Sequence, residues 1–204
     1  MGLYSKYILP RLLDFARRNK DVTELRQLVL PETKGIVLEV GIGSALNFPY
    51  YSSKVLHLSR IDSSPELLQM AQRKTGGTSF PVTLLNQTAE KFPLEDHSVD
   101  TVVMTWVLCS IADSLTALRE AKRVLRGDGR LIFLEHGLSP EPKIQSWQNC
   151  LTPVWKRIGG GCCLNKKIDG LISHGGFAIR ELHNCYMPGP KPMTYVYRGF
   201  AEPE

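Results

Sequence analysis

Apolar residues along this chain fall into short blocks separated by polar stretches with helical spacing. GIVLEVG, at 35–41, is a run of β-branched and aliphatic residues that stops at glycine, which predicts a buried parallel strand followed by a tight turn. VLHLSRID repeats the design, an apolar segment ending on an acid. VTLLNQTAE is a third strand candidate, and VDTVVMTWVL, rich in Val and Thr, is the most strongly strand-like of all. RLIFLEHG makes a fifth, after a turn at Arg126-Gly127-Asp128-Gly129. Between these blocks, Ser64-Pro65-Glu66 opens a helix carrying Leu67, Leu68 and Ala71, and Ala112 to Leu125 reads as another. Strands alternating with helices predict an α/β domain whose sheet is doubly wound, mostly parallel and covered on both faces. GFAIRELHN and MTYVYRGFA come late with no long helix between them, and predict an antiparallel, hairpin-like edge. At the other end, YSKYILPRLLDFARR sets Tyr7, Ile8, Leu12 and Phe15 broadly on one side of a helix. Residues 1–30 are therefore expected to dock a helical segment on the core, with a lid or a membrane-surface contact as the alternative.

Composition adds limits. With 204 residues, 43% hydrophobic and 22% charged, the chain fits one globular domain over 1–204 that needs no staple. The net charge of +5 invites nucleic acid or an anionic membrane. However, the basic residues are scattered, with short clusters only at Arg17, Arg18 and Lys20 and at Lys166 and Lys167, which disfavours nucleic acid. No apolar stretch approaches the ~18 residues of a spanning helix, and the early run Tyr7 to Leu9 is broken by Pro10. Cytoplasmic residence is the expectation, with peripheral membrane contact left open. The cysteines, Cys109, Cys150, Cys162, Cys163 and Cys185, are odd in number and lack framework spacing, which suits a reducing compartment. Cys162 and Cys163 are adjacent, but no CxxC pair exists and other ligands are distant in sequence, so no metal is expected.

The candidate chemistry centres on Glu39-Val40-Gly41-Ile42-Gly43-Ser44-Ala45. A GxG after a buried strand lets the backbone approach a ligand closely and turn into a helix. Alone it is weak evidence. The third glycine of a dinucleotide fingerprint is missing, and Glu39, expected to aim at the same cleft, would repel a pyrophosphate. A carboxylate there favours a cationic ligand such as S-adenosylmethionine, whose methionine carboxylate could accept from backbone N–H groups at the loop or helix start. Asp62 follows Gly41 by 21 residues at the second strand's end, the spacing at which a carboxylate reaches ribose hydroxyls; a helix or turn cap is the plainer reading. Thr88 and the Ala89 amide are candidates for the adenine edge, against an ordinary strand exit. Asn47, Ser63 and Thr105, on the same loop and strand ends, complete the candidate cofactor set.

LEVGIGSALNFPYY, RIDSSPELLQMA, AEKFPLEDHSVDTVVMTW and EAKRVLRGDGRLIFLEHG together resemble the ordered motif series of class I methyltransferases, closest in kind to the ubiquinone and menaquinone methyltransferases. That resemblance covers about residues 35–137 and implies a Rossmann-like seven-stranded sheet with its last strand antiparallel. VMTWVLCSIAD, FLEHG, WQNCLTPVWKRIGGGCCLNKKID and GPKPMTYVYRGFA are similar to a subgroup whose membrane-anchored animal relatives methylate alkyl thiols. Two departures stand out: Ala45 replaces the usual third glycine, and Thr88 stands where many relatives carry an acid facing the adenine amine. The long apolar N-terminal anchor of the animal enzymes has no counterpart here.

For the chemistry itself, methyl transfer from a sulfonium needs donor and acceptor collinear and ~3–3.5 Å apart. His136, just past the fifth strand, is the candidate general base because an imidazole titrates near working pH; a histidine that supports the site from behind or sits at the core's edge is the alternative. Cys109 reads as a small buried apolar residue, since no covalent intermediate is needed. Residues 140–170 are the expected substrate-side segment, with Trp147, Trp155 and Gly159-Gly160-Gly161 forming an apolar wall or merely docking that segment. The acceptor is expected to be small or lipid-like, with a thiol favoured and a lipid amine or quinone carbon as alternatives. A nicotinamide-dependent dehydrogenase is opposed by Glu39 and the terminal strand, and a non-catalytic cofactor-binding module remains as a rival class.

Overall fold

A computed structural model of the chain describes residues 8–41, 43 and 45–204. Among them, seven strands form one sheet: β1 Gly35–Val40, β2 Val55–Asp62, β3 Val82–Asn86, β4 Val99–Thr105, β5 Leu125–His136, β6 Phe177–Tyr186 and β7 Tyr195–Pro203. The helices are α1 Leu9–Ala16, α2 Lys20–Val29, α3 Pro65–Gln72, α4 Ser114–Val124, α5 Pro142–Ile158, α6 Ile168–His174 and the single turn α7 Lys191–Thr194. Strand order is β3-β2-β1-β4-β5-β7-β6. The first five strands pair in parallel, and β7 runs antiparallel against both neighbours. The late antiparallel pair was expected at the edge. It lies there: β7 inserts beside β5, and β6 is the edge strand.

The uninterrupted hydrophobic blocks are explained by a sheet buried on both faces, because side chains alternate along a strand. Leu38, Val102, Met104 and Phe133 pack on one side with Leu118 and Ala121 of α4 and Ile168 and Ile172 of α6. Val37, Val103, Ile132 and Leu134 face the other side, against Val22, Leu25 and Val29 of α2. α3 opens at Ser64-Pro65 as expected, Ser64 accepting from the Leu67 N–H, while α4 begins at Ser114, two residues after the expected start, with Asp113 accepting from the Thr116 N–H. The Arg126–Gly129 turn is a bulge within β5, across which pairing to β4 jumps from Val99–Leu125 to Thr101–Arg130.

Two expectations are corrected. The chain does not enter an α-helix after the glycine loop; it makes one 3₁₀ turn, Phe48–Tyr50, whose Pro49 has no N–H for a longer ladder. Nor does α1 dock by its apolar side. Ile8 and Leu12 are half exposed and Phe15 is 79% exposed, while Leu9 and the following Arg17 turn toward the sheet's carboxyl edge. Tyr7, Ile42 and Ser44 lie outside the described residues.

Candidate active site

At the carboxyl ends of β1, β2 and β4 lies a crevice of about 460 Å³. Of the residues expected to hold a cofactor, Gly41, Gly43, Asp62, Ser63, Thr88 and Ala89 line it together. Gly41 leaves β1 with φ +76°, and a Cβ there would overlap the Val107 side chain, so the backbone passes where no other residue fits. Asp62 joins the two loops. Its Oδ2 accepts from Gly43 N at 3.2 Å and its Oδ1 from Ser64 N at 2.8 Å. Burial pushes the Asp62 carboxyl up from its ordinary value, opposed by those two N–H groups and by Arg17 and Arg60. Asp62 is thus a turn cap and a crevice-lining acid at once; the two readings do not compete.

Glu39, Asn47 and Thr105 do not line the crevice, which corrects the expectation for all three. Glu39 is fully buried and pairs with the fully buried Arg60 of β2, Oε2 to Nη2 at 2.5 Å. Burial raises the Glu39 pKa and the Arg60 guanidinium opposes that shift. Its charge is therefore met inside the protein rather than presented to a ligand. The reason is register: Glu39 sits opposite Arg60 on the adjacent strand, on the face covered by α2. Asn47 donates to Glu39 at 2.5 Å and to Thr105 Oγ1 at 2.9 Å, and accepts from Arg26 Nε at 2.9 Å. Arg26, its pKa lowered to about 10 by burial and by Arg17, closes the network by donating to the Arg17 carbonyl. The Phe48 ring lies 4.2 Å from the Arg60 guanidinium. This polar layer fixes the glycine loop from beneath.

The opposite wall is built by residues absent from the expected set. β4 stops at Thr105 because Trp106 takes φ +56°, a left-handed conformation that costs a bulky residue ~1–3 kcal/mol. Beyond it, the N–H groups of Val107, Leu108 and Cys109 all converge on the buried Glu135 carboxylate, at 2.7, 2.9 and 3.4 Å. Burial holds Glu135 well above the usual carboxylate range, those N–H groups pulling the other way. Lys166 braces the same loop, Nζ donating to the Leu108 and Ile111 carbonyls and to Ser114 Oγ. Trp106, Val107, Ser110 and Ile111 thereby face the crevice, joined by Arg17, whose Nη2 donates to the Trp106 carbonyl at 3.0 Å. Trp106 Nε1 is buried with no hydrogen-bond partner among the described residues.

His136 was expected at the crevice and is corrected: it is buried behind Trp106, ring centroids 6.5 Å apart, and lines no part of it. Its partner is Cys162, with Nε2 3.5 Å from Sγ. Gly159 and Gly160 reach the crevice as expected, whereas Trp147 is 59% exposed and neither it nor Trp155 lines the wall. Only Arg17 could have been flagged from sequence, by its place in a basic cluster; Trp106 and Ser110 carry no local signal.

A family model described as a methyltransferase domain matches residues 38–133. The human protein named thiol S-methyltransferase TMT1B is 30% identical over 185 residues, covering 89% of this chain and 74% of that protein. Demethylmenaquinone methyltransferase of Thermotoga maritima is 30% identical over 131 residues, 63% of this chain and 55% of that one. Among solved structures, a SAM-dependent methyltransferase from Aquifex aeolicus matches with a TM-score of 0.64 at 18% identity, over 96% of this chain and 98% of the other.

Proposed function

The chain belongs to the S-adenosylmethionine-dependent methyltransferases, and from that premise we propose that it transfers the donor's methyl group to the sulfur of a small thiol. The observation that carries the thiol assignment is the identity to human TMT1B over most of both chains. An apolar wall of Trp106, Val107 and Ile111 beside the glycine loop supports the same acceptor class.

In this reading Asp62 takes the ribose hydroxyls, being the acid at the tip of β2 that lines the crevice. The Gly41 to Gly43 turn and Arg17 serve the methionine carboxylate, with Arg17 supplying the positive charge that Glu39 does not oppose. Ser63, Thr88 and Ala89 border the adenine. Glu39, Asn47 and Thr105 act at one remove, by holding the loop. In this reading His136 is not the general base, because its ring is buried and does not itself line the crevice. The protein's task is alignment: a thiolate held in line with the sulfonium methyl at ~3–3.5 Å needs little else. Peripheral membrane contact through the exposed side of α1 would bring apolar thiols to the crevice, and a cytoplasmic setting suits the free cysteines.

The test is a panel of alkyl thiols, quinols and ethanolamine lipids, assayed for S-adenosylhomocysteine formation. Turnover greatest with alkyl thiols is expected. Turnover on lipid amines or quinols with none on thiols overturns the assignment.

A further inference from the structure

Three soft ligands that are far apart in sequence meet behind Trp106. Cys109 Sγ lies 3.5 Å from Cys162 Sγ, and Cys162 Sγ lies 3.5 Å from His136 Nε2. All three ligand atoms fall within 4.8 Å of one another, and Cys109 and His136 are buried while Cys162 is partly so. A tetrahedral zinc with Zn–S near ~2.3 Å and Zn–N near ~2.0 Å separates its ligand atoms by roughly 3.5–3.8 Å. The two 3.5 Å separations in the cluster already match that spacing. The sequence expectation of distant ligands thus fails in three dimensions.

The frame around the cluster is rigid. Cys109 follows the loop pinned by Glu135, and Cys163 N donates to the Cys109 carbonyl at 2.9 Å, tying the α5–α6 loop to the β4 loop. His136 ends β5, where it pairs with Val196 of β7. Each ligand therefore comes from a different element, and the elements are bonded to one another, an arrangement that holds metal ligands in place before the ion arrives.

We propose that Cys109, His136 and Cys162 form a zinc-type metal site whose fourth position takes the acceptor sulfur. Two thiolates and one imidazole leave a tetrahedral ion one open position, as in catalytic rather than structural zinc sites. That position is within reach of the acceptor, because Ser110, whose Oγ is 3.5 Å from Cys109 Sγ, and Gly160 both line the crevice. This half of the proposal rests on the thiol reading above. It supplies what that reading lacks, a way to deprotonate the acceptor without a base. A thiol bound at the ion loses its proton to solvent. Its sulfur lone pair then forms the new C–S bond as the methyl–sulfonium bond breaks, leaving a thioether and neutral S-adenosylhomocysteine. No oxidant or reductant is involved.

The test is a cobalt(II) titration of reduced, chelator-treated protein, read by the thiolate-to-cobalt charge-transfer band, with zinc as competitor. One equivalent per chain is expected. Cys162→Ser, at a partly exposed position, should weaken binding more than ~tenfold and abolish or shift the band, while Cys163→Ser, one residue along, keeps it. Circular dichroism of both variants controls for folding. An alkyl thiol added to the cobalt protein should perturb the band. No band in the parent protein, an equal band in Cys162→Ser, or a Cys109–Cys162 disulfide persisting under reductant overturns the site. A band that thiols leave unmoved, or thiol turnover unchanged by chelation, overturns the acceptor's place on it. Metal binding is read without turnover, so a protein that binds cobalt yet methylates only lipid amines refutes the thiol reading alone.

Discussion

Glu39 and Glu135 occupy matching places, each the next-to-last residue of a strand flanking β4, and each fully buried. Their environments differ. Glu39 meets a guanidinium on the neighbouring strand and so anchors the glycine-loop side of the crevice strand to strand. Glu135 meets three consecutive backbone N–H groups and so shapes a loop, the one that carries Trp106 and Cys109. The two walls are thus made differently. One is a rigid platform under a turn; the other is a chain segment bent around a single carboxylate, as in an anion-binding nest.

Truncation should separate them. Glu135→Ala orphans three donors at ~1–3 kcal/mol each and releases the loop, so the largest loss of stability is expected there, together with loss of the Cys109–Cys162 proximity. Chemical denaturation and cross-linking of the two thiols check both parts. Glu39→Ala removes the buried carboxylate that meets the fully buried Arg60 and should cost about 3–5 kcal/mol by denaturation, with the Cys109–Cys162 spacing unchanged. If Glu39→Ala disrupts that spacing as much as Glu135→Ala does, the two walls are not independent.

A pH series sharpens the contrast. The folded protein holds the Glu135 proton more tightly than the unfolded chain, because burial raises its pKa. The folded state therefore binds more protons once pH exceeds the ordinary carboxylate value, and stability falls as pH rises toward the folded value. Glu135→Gln, which keeps an oxygen for Val107 and Leu108, removes that titration. Its stability relative to the parent should rise with pH from about 4.5 upward and then level off. A flat difference contradicts the account of this carboxylate. The smallest effect belongs outside both walls: Phe15→Ser, at a residue 79% exposed, should shift stability by no more than about 0.5 kcal/mol.

The same contrast explains what could be read from sequence. The strands, the helix opening at Ser64-Pro65 and the crevice residues Gly41, Gly43 and Asp62 depend on short-range signals, and these are legible. Glu39 was recognised as important but assigned the wrong direction, because its partner is set by strand register rather than by spacing. The far wall depends on pairings such as Cys109 with Cys162 and Leu108 with Lys166, between residues more than fifty positions apart. Nothing local marks them. The left-handed Trp106 is equally silent, since such a conformation is not a tryptophan's own preference and the groups beyond it are held by the distant Glu135.

In the proposed function, the Asp62 side of this crevice holds the adenosyl donor. Calorimetric titration of S-adenosylhomocysteine into the parent protein and into Asp62→Asn tests it most directly. One site per chain is expected, weakened more than tenfold by the substitution, a loss of at least ~1.4 kcal/mol. Equal affinity in the two proteins, or no binding to the parent, would contradict it.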